Sequence, residues 1–206
     1  MPDDARPIVS AAAEGDVDKA VLLRIADHVG VRLDPIHGLN GKDALLRNLR
    51  GYNNAARFGP WIVLVDLDRG WSCAALLVRE KLPDPAPQMC FRVAVRAVEA
   101  WLLADRERVA AWLGVSIARV PVIPDAEADP KLALVDLARR SRRRRLKDSL
   151  VPRPGSSRSQ GPLYTDEVRA FIQNRANGWR PDHAARASDS LARCIRALRL
   201  FRETNT

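Results

Sequence analysis

The run Trp61-Ile62-Val63-Leu64-Val65-Asp66-Leu67-Asp68 predicts more of the fold than any other stretch of this 206-residue chain. Five consecutive apolar residues are typical of a central strand that is covered on both faces of a parallel sheet. Two aspartates follow at positions 66 and 68. Because residues two apart on an extended segment point the same way, we expect these two carboxylates to converge where the strand ends.

Three further apolar runs accompany this strand, at residues 6–13, 31–36 and 89–95. Helical spacing of apolar residues separates them and continues beyond them; these helical segments are residues 17–30, 42–56, 72–81 and 97–113, the last of them in two pieces. Alternation of strands and helices is typical of an α/β domain with a parallel sheet. We therefore predict an α/β core over residues 1–125, with a mainly parallel four-stranded sheet flanked by helices.

The remainder of the chain has a different pattern and a different charge. Residues 120–123 are a weak strand candidate, and helical patterns occupy residues 131–145, 165–175 and 184–202. Residues 1–130 hold 16 Lys/Arg against 18 Asp/Glu, and residues 131–206 hold 18 against 7, so the net charges are −2 and +11. We predict that residues 126–206 are a basic helical extension packed on the core, with a polyanionic partner such as nucleic acid.

Basic residues within this extension are the candidates for contacting phosphates. Arg142, Arg143, Arg144, Arg145 and Lys147 form the densest cationic run of the chain. A loop rich in proline, glycine and serine follows at residues 152–162 and adds Arg153 and Arg158. We expect this combination to bind the phosphate backbone of DNA or RNA without sequence preference.

Carboxylates follow three of the predicted strands. Glu14 comes after the first, Asp66 and Asp68 after the third, and Glu99 shortly after the fourth. The carboxyl ends of parallel strands share one edge of the sheet, which is where ligands bind. Clustered carboxylates repel one another unless a cation neutralises them, and oxygen-only ligation suits Mg²⁺ or Mn²⁺. The sequence therefore predicts a Mg²⁺ or Mn²⁺ site at this edge.

Several segments together resemble a known group of proteins. They are Glu14-Gly15-Asp16-Val17-Asp18, Val63-Leu64-Val65-Asp66-Leu67-Asp68, Glu99-Ala100-Trp101-Leu102-Leu103-Ala104-Asp105, Asp129-Pro130-Lys131 and Ser188-Asp189-Ser190-Leu191. The first two are similar to the Glu and Asp-x-Asp motifs of TOPRIM domains, which occur in topoisomerases, primases and OLD-family nucleases. Taken together, the segments resemble a bacterial TOPRIM-like family known as domain of unknown function 4276. The resemblance spans nearly the whole chain.

The resemblance implies a TOPRIM-like fold and specific roles for the acids. Asp66 and Asp68 would hold Mg²⁺, Glu14 would be a metal ligand or general acid/base, and Asp18 and Glu99 would be further acids of the site. Lys131 would steady a phosphate. The implied function is a metal-dependent nuclease or related phosphodiester-processing enzyme. Its implied partner is a separate ATPase chain, as in a bacterial ATPase–nuclease defence system.

Two alternatives remain open at the level of sequence. In a haloacid-dehalogenase-like phosphohydrolase, Asp66 would be the nucleophile and Asp68 the acid, with Asp125 and Asp129 as distal metal ligands. The segment Arg69-Gly70-Trp71 matches that family poorly. Alternatively, the chain is a non-catalytic nucleic-acid-binding subunit whose carboxylates are structural.

Other features of the sequence bear on ATPase activity, membrane spans and disulfide bonds. Residues 38–43 read Gly-Leu-Asn-Gly-Lys-Asp, which has neither the spacing nor the Ser/Thr of a phosphate-binding P-loop, so we expect no ATPase activity from this chain. No apolar run approaches the ~18 residues of a membrane span, and three cysteines without a paired spacing do not suggest a disulfide framework. We expect a cytoplasmic protein without a membrane partner.

Overall fold

A computed structural model describes residues 6–67 and 70–204 of the chain. Asp68, one of the predicted site residues, lies outside the described residues. The chain forms two compact units: Met1–Val95 with Ser190–Thr206, and Arg96–Asp189. The elements, in chain order, are β1 (Ile8–Ala13), α1 (Asp16–Val29), β2 (Arg32–Gly38), α2 (Lys42–Ala55), β3 (Trp61–Asp66), α3 (Ala74–Lys81), β4 (Met89–Ala94), α4 (Val98–Ala104), α5 (Arg106–Leu113), α6 (Pro130–Arg139), α7 (Arg144–Leu150), α8 (Tyr164–Gln173), α9 (Pro181–Ala184) and α10 (Asp189–Thr204).

The first unit contains a four-stranded sheet in the order β2-β1-β3-β4, in which every neighbouring pair is parallel. The predicted α/β fold with a mainly parallel four-stranded sheet flanked by helices is therefore confirmed. β1 pairs with β3 from Ser10 opposite Trp61 to Ala12 opposite Val63. The apolar run is central because β3 has neighbours on both sides, and all of its residues from Trp61 to Val65 are buried.

Helices cover the sheet of this unit with apolar faces. α2 and α3 contribute Leu45, Leu49 and Leu77 to one core cluster, together with Val63 and Val65 of the central strand. The terminal helix α10 also belongs to this unit, although it is distant in sequence. Its Arg202 Nη1 donates a hydrogen bond to the carbonyl oxygen of Val29 at the end of α1, at 3.3 Å.

The second unit is helical and is built around α4. Every residue of α4 from Val98 to Ala104 is buried. Trp179, which is fully buried, donates from Nε1 to the carbonyl oxygen of Trp101 at 3.0 Å. The segment Glu99–Asp105, the most distinctive motif of the sequence, thus forms the interior of this unit.

Some predicted boundaries differ from the structure. The strand candidate at residues 120–123 is wrong: these residues form bends between two short 3₁₀ helices, Ile117–Arg119 and Pro124–Ala126. Pro121 and Pro124 lack the N–H that a strand ladder needs. The two compact units divide the chain at residue 95 and include most of α10 in the first unit. The predicted domains, with a division at residue 125, stay a prediction.

Two predicted helices are each interrupted. Residues 131–145 divide between α6 and α7 because the Ser141 hydroxyl accepts a hydrogen bond from Arg143 N–H and donates one to the carbonyl of Leu113, which draws the chain out of the helix. The predicted helix at residues 184–202 overlaps the end of α9 at Ala184, and its main part is α10, which begins at Asp189.

No single helix among the described residues is both long and apolar enough to cross a membrane. One bent pair, Arg106–Leu113 and Ile117–Ala126 at 114°, reaches the length and composition of a span when taken together.

Candidate active site and nucleic-acid interface

The order of the sheet has a topological switch point between β1 and β3. From β1 the chain continues to β2 on one side, and from β3 it continues to β4 on the other, so the winding direction changes between them. In open α/β sheets, ligands bind at such a switch point, outside the carboxyl ends of the strands. Glu14 directly follows β1, and Asp66 is the last residue of β3. Both residues lie at the edge where a ligand is expected.

Glu14 and Asp66 are in direct contact. Glu14 Oε1 accepts a hydrogen bond from the backbone N–H of Asp66 at 2.7 Å, and both residues are partly buried. The contact follows from the parallel pairing of β1 with β3, which brings the two strand ends side by side. It agrees with the expectation that Glu14 faces the end of the apolar strand, whereas the catalytic roles of both residues stay predictions.

The loop between β2 and α2 is built onto the same edge. Leu39 N–H donates to the carbonyl oxygen of Ala13 at 2.9 Å, and Gly41 N–H donates to that of Glu14 at 3.0 Å. Gly38 has a φ of +89°, and a Cβ at this position would lie 2.3 Å from the carbonyl oxygen of Ala13. Only glycine permits this close approach of the two backbones.

Lys42, the first residue of α2, reaches Asp66 from this loop. Its Nζ donates a hydrogen bond to the carbonyl oxygen of Asp66. The backbone of Asp66 is therefore held at its N–H by Glu14 and at its C=O by Lys42. Sequence reasoning missed Lys42 because it tested residues 38–43 only as a P-loop. A lysine after two glycines at the end of a strand was the signal that could have found it.

Asp18 is another acid predicted for this edge, and the structure describes it. Asp18 lies in the first turn of α1, is 8% exposed, and has its Oδ2 3.5 Å from where a Cβ of Gly15 would be. Asp68 lies outside the described residues. Within the described ranges, no group of three or more His, Cys, Asp or Glu residues is arranged to hold a metal ion.

The chemistry of the donors fits Mg²⁺ or Mn²⁺. Mg²⁺ is commonly bound through only one or two carboxylates, with waters and substrate phosphates completing its coordination. Glu14 and Asp66 are two acids at one edge of the sheet, and carboxylate oxygens suit Mg²⁺ or Mn²⁺ better than zinc. These residues are therefore suited to a hard divalent cation that binds together with a phosphate-bearing substrate.

Glu99 belongs to the second unit and is 1% exposed. Its Oε1 accepts a hydrogen bond from the Tyr164 hydroxyl at 3.1 Å and lies 3.6 Å from Lys131 Nζ. Its Oε2 has no hydrogen-bond partner within the described part of the chain. Glu99 and Lys131, which were predicted in two separate roles, thus form an ion pair. A buried carboxylate requires such a partner because water no longer solvates it.

A second buried acid of this unit was not singled out from the sequence. Asp105 is fully buried and accepts three hydrogen bonds from Arg180: from N–H and Nε at 3.0 Å each, and from Nη2 at 2.6 Å. The same guanidinium donates to Glu107 at 2.8 Å. The bond to Asp105 raises the pKa of Arg180, and the bond from Arg180 lowers the pKa of Glu107. This cluster ties α9 to the junction of α4 and α5.

The two aspartates that a phosphohydrolase would use as distal ligands have local roles. Asp125 accepts a hydrogen bond from the Ser188 hydroxyl at 3.2 Å, and burial raises the pKa of its carboxyl group. Asp129 caps α6 by accepting from the N–H of Leu132 at 2.9 Å. Both are in the second unit.

The predicted nucleic-acid-binding residues of the α7 region form what we call the basic surface. Each of its members is exposed. Arg144 lies 3.9 Å from Asp148, and Arg145 lies 3.4 Å from Glu167. The other members form no ion pair with any described residue. The basic surface comprises Arg142, Arg143, Arg144, Arg145, Lys147, Arg153 and Arg158.

The loop that carries Arg153 and Arg158 has closely held ends. Gly161 N–H donates to the carbonyl oxygen of Leu150 at 2.9 Å, and Leu163 N–H donates to that of Ser149 at 3.1 Å. A Cβ at Gly161 would lie 2.3 Å from the Ser149 carbonyl oxygen, so the closure depends on glycine. The segment is an Ω-shaped loop, a type that is frequently functional.

Comparisons with protein-family models, with curated proteins and with solved structures found no match to this chain.

Proposed function

We propose that this protein is a Mg²⁺- or Mn²⁺-dependent nuclease, or a related TOPRIM-like phosphodiester-processing enzyme, that acts on nucleic acid. The observation that carries the proposal is the contact of Glu14 with Asp66 at the switch point of an all-parallel sheet. Such a position is where α/β enzymes bind their ligands, and two carboxylates there suit a divalent cation. The basic surface supports a polyanionic substrate.

The acids of the sheet edge would hold the cation. We assign Glu14 and Asp66 to this role, with Asp18 and Asp68 added by the resemblance to TOPRIM domains. The bound cation would supply charge stabilisation at phosphorus and an activated water. Because Glu14 Oε1 is engaged with the N–H of Asp66, we assign ligation or general acid/base work to Oε2.

Lys42 acts on this site as a positioning residue. Its ammonium group binds the carbonyl of Asp66, while Glu14 binds the N–H of the same residue, and together they fix the end of β3. Its positive charge also reduces the repulsion between neighbouring carboxylates when no other cation is bound. Lys42 therefore contributes to the stability of the site even when no divalent ion is bound.

The basic surface would hold the substrate through phosphates. At least five of its seven members, Arg142, Arg143, Lys147, Arg153 and Arg158, have no carboxylate partner among the described residues, so their charge is available to a polyanion. Lys131, predicted as an eighth contact, pairs instead with Glu99. The remaining contacts are to the backbone of the nucleic acid, which favours binding without sequence preference.

An ATPase partner in a separate chain follows from the resemblance and from the absence of a P-loop in the sequence. Co-purification of the tagged chain from its own host tests this part of the proposal. Recovery of the chain without any ATPase would count against a two-component defence system and would leave the nuclease proposal intact.

The decisive experiment incubates the purified chain with labelled single-stranded and duplex DNA and RNA, in Mn²⁺ and in EDTA. We expect Mn²⁺-dependent cleavage that Asp66→Asn abolishes and that Glu80→Gln, an exposed acid of α3 with the same loss of charge, retains. Retained binding without any cleavage would instead support the non-catalytic alternative, for which the resident cation Lys42 is the favouring observation. Trapping of a phosphoenzyme on Asp66 would establish the phosphohydrolase alternative.

A further inference from the structure

A cavity of about 590 Å³ lies within the second unit, next to the Ω-shaped loop. Its charged lining comes from three elements: Arg139 at the end of α6, Lys147 and Asp148 on α7, and Arg153 in the loop. These charged residues come from three separate elements, yet they line one concavity. We call this feature the basic cavity.

The charges of the basic cavity are only partly compensated. Arg139 pairs with Asp136 at 3.2 Å, and Asp148 lies 3.9 Å from Arg144. Neither Lys147 nor Arg153 forms an ion pair with a described residue. Two cations without an ion-pair partner among the described residues therefore line one concavity. A phosphate group, which has several acceptor oxygens, suits this arrangement.

The rest of the lining is apolar. Val151, Pro152 and Pro154 complete the wall of the basic cavity. The proline rings are rigid, and the loop that carries them is closed at Gly161, so the wall is formed before a ligand arrives. Cavities that bind small molecules have volumes of roughly 300–1,000 Å³. The basic cavity is therefore large enough for a phosphate together with the sugar or base attached to it.

We propose that the basic cavity binds one nucleotide unit, with its phosphate on Lys147 and Arg153 and its sugar or base against the two prolines. The assignment of that unit to a nucleic-acid strand rests on the proposed function. A free nucleotide has the same chemistry and is the other source. The experiment separates the two sources.

The test measures binding of the full chain in EDTA, so that no cleavage occurs, by calorimetry with inorganic phosphate, a mononucleotide and a short oligonucleotide. Lys147→Gln and Arg153→Gln remove the cavity cations. Arg119→Gln and Arg186→Gln are matched controls from the same unit, since both arginines are exposed, form no ion pair with a described residue, and belong neither to the basic surface nor to the cavity lining. All four substitutions are at exposed positions, so we expect each variant to fold.

We expect the parent to bind the mononucleotide more tightly than inorganic phosphate, because the prolines contact the organic part. Each cavity substitution should weaken mononucleotide binding by about tenfold or more, as expected for loss of a charged hydrogen bond. The control substitutions should change it by less than about twofold. An equal loss in the oligonucleotide affinity of the cavity variants identifies a strand as the source, and an unchanged oligonucleotide affinity identifies a free nucleotide.

Two results would overturn the inference: no saturable binding of the mononucleotide by the parent, or equal losses in the cavity and control variants. The second result would mean that the cations act only as a diffuse positive surface. Metal-dependent cleavage is measured separately. Loss of the nuclease proposal with retained mononucleotide binding would therefore leave the basic cavity as a nucleotide site.

Discussion

Glu14 and Glu99 each follow a strand of the same sheet in sequence, yet they have different surroundings. Glu14 is partly buried at the open edge of the first unit and binds the main chain of Asp66. Glu99 is 1% exposed inside the second unit, where Tyr164 and Lys131 contact it. The position after a strand therefore does not by itself give an acid its surroundings: Glu14 contacts main chain at a strand end, whereas Glu99 is enclosed with a cationic partner. An enclosed acid depends on that partner, because water no longer solvates it.

Removal of Asp105, a fully buried acid of the second unit, tests this difference with the largest expected effect. Asp105→Ala removes three hydrogen bonds from Arg180, which is partly exposed and keeps Glu107, so we expect a loss of about 2–3 kcal/mol in the free energy of unfolding. Urea denaturation followed by circular dichroism measures it. Glu107→Ala removes the exposed partner of the same guanidinium and should cost much less stability, because exposed ion pairs contribute little. Equal effects of the two substitutions would show that enclosure does not determine the role of these acids.

The exposed arginines of the second unit should determine how nucleic-acid binding depends on salt. Replacing Arg142, Arg143, Arg144 and Arg145 by alanine should make the salt dependence of nucleic-acid binding shallower, by at most ~0.9 per lost phosphate contact on duplex DNA. Most of the change should come from Arg142 and Arg143, which lack ion-pair partners among the described residues. Fluorescence anisotropy over a series of salt concentrations measures the slope. If the slope of the fourfold variant equals that of the parent, these arginines do not contact phosphates.

The charge of Lys42 at the sheet edge should affect the affinity for Mn²⁺. Lys42→Met removes a positive charge beside Glu14 and Asp66, so we expect Mn²⁺ to bind the substrate-free protein roughly two- to tenfold more tightly. Lys42→Arg keeps the charge and should bind Mn²⁺ as the parent does. Calorimetric titration with Mn²⁺ gives both affinities. Weaker binding in Lys42→Met would mean that the position of Asp66, rather than the charge of Lys42, dominates.

Asp125 offers the smallest effect and a pH dependence. Burial raises the pKa of its carboxyl group above the ordinary 3.8, so the folded state favours the protonated form. The stabilisation is fully present below that ordinary value and is lost as the pH rises through the folded pKa. Asp125→Asn should therefore remove part of the stability loss on going from acid to neutral pH. Unfolding free energies measured across this range would be parallel in parent and variant if the carboxyl group does not contribute.

Features that depend on local patterns and on the parallel pairing of strands could be predicted from the sequence. The uninterrupted apolar run predicts the central strand, and the order of elements predicts that Glu14 and Asp66 meet. Contacts between distant segments that depend on loop conformation or helix packing could not be predicted. Lys42 reaches Asp66 only because Gly38 allows the loop to approach β1, and Lys131 reaches Glu99 only through the packing of α6 against α4. The break at Ser141 depends on a carbonyl group 28 residues away.

Thermal melts with and without metal test whether Asp66 ligates a divalent cation, as proposed. In the parent, Mn²⁺ at ~100 times its dissociation constant should add ~2.7 kcal/mol of stability relative to EDTA. In Asp66→Asn this increment should largely disappear, whereas the melting temperature in EDTA stays equal or rises because one of the neighbouring negative charges is gone. Glu80→Gln should keep the full increment. Equal responses of the parent and Asp66→Asn to Mn²⁺ would contradict the account and remove Asp66 from the proposed site.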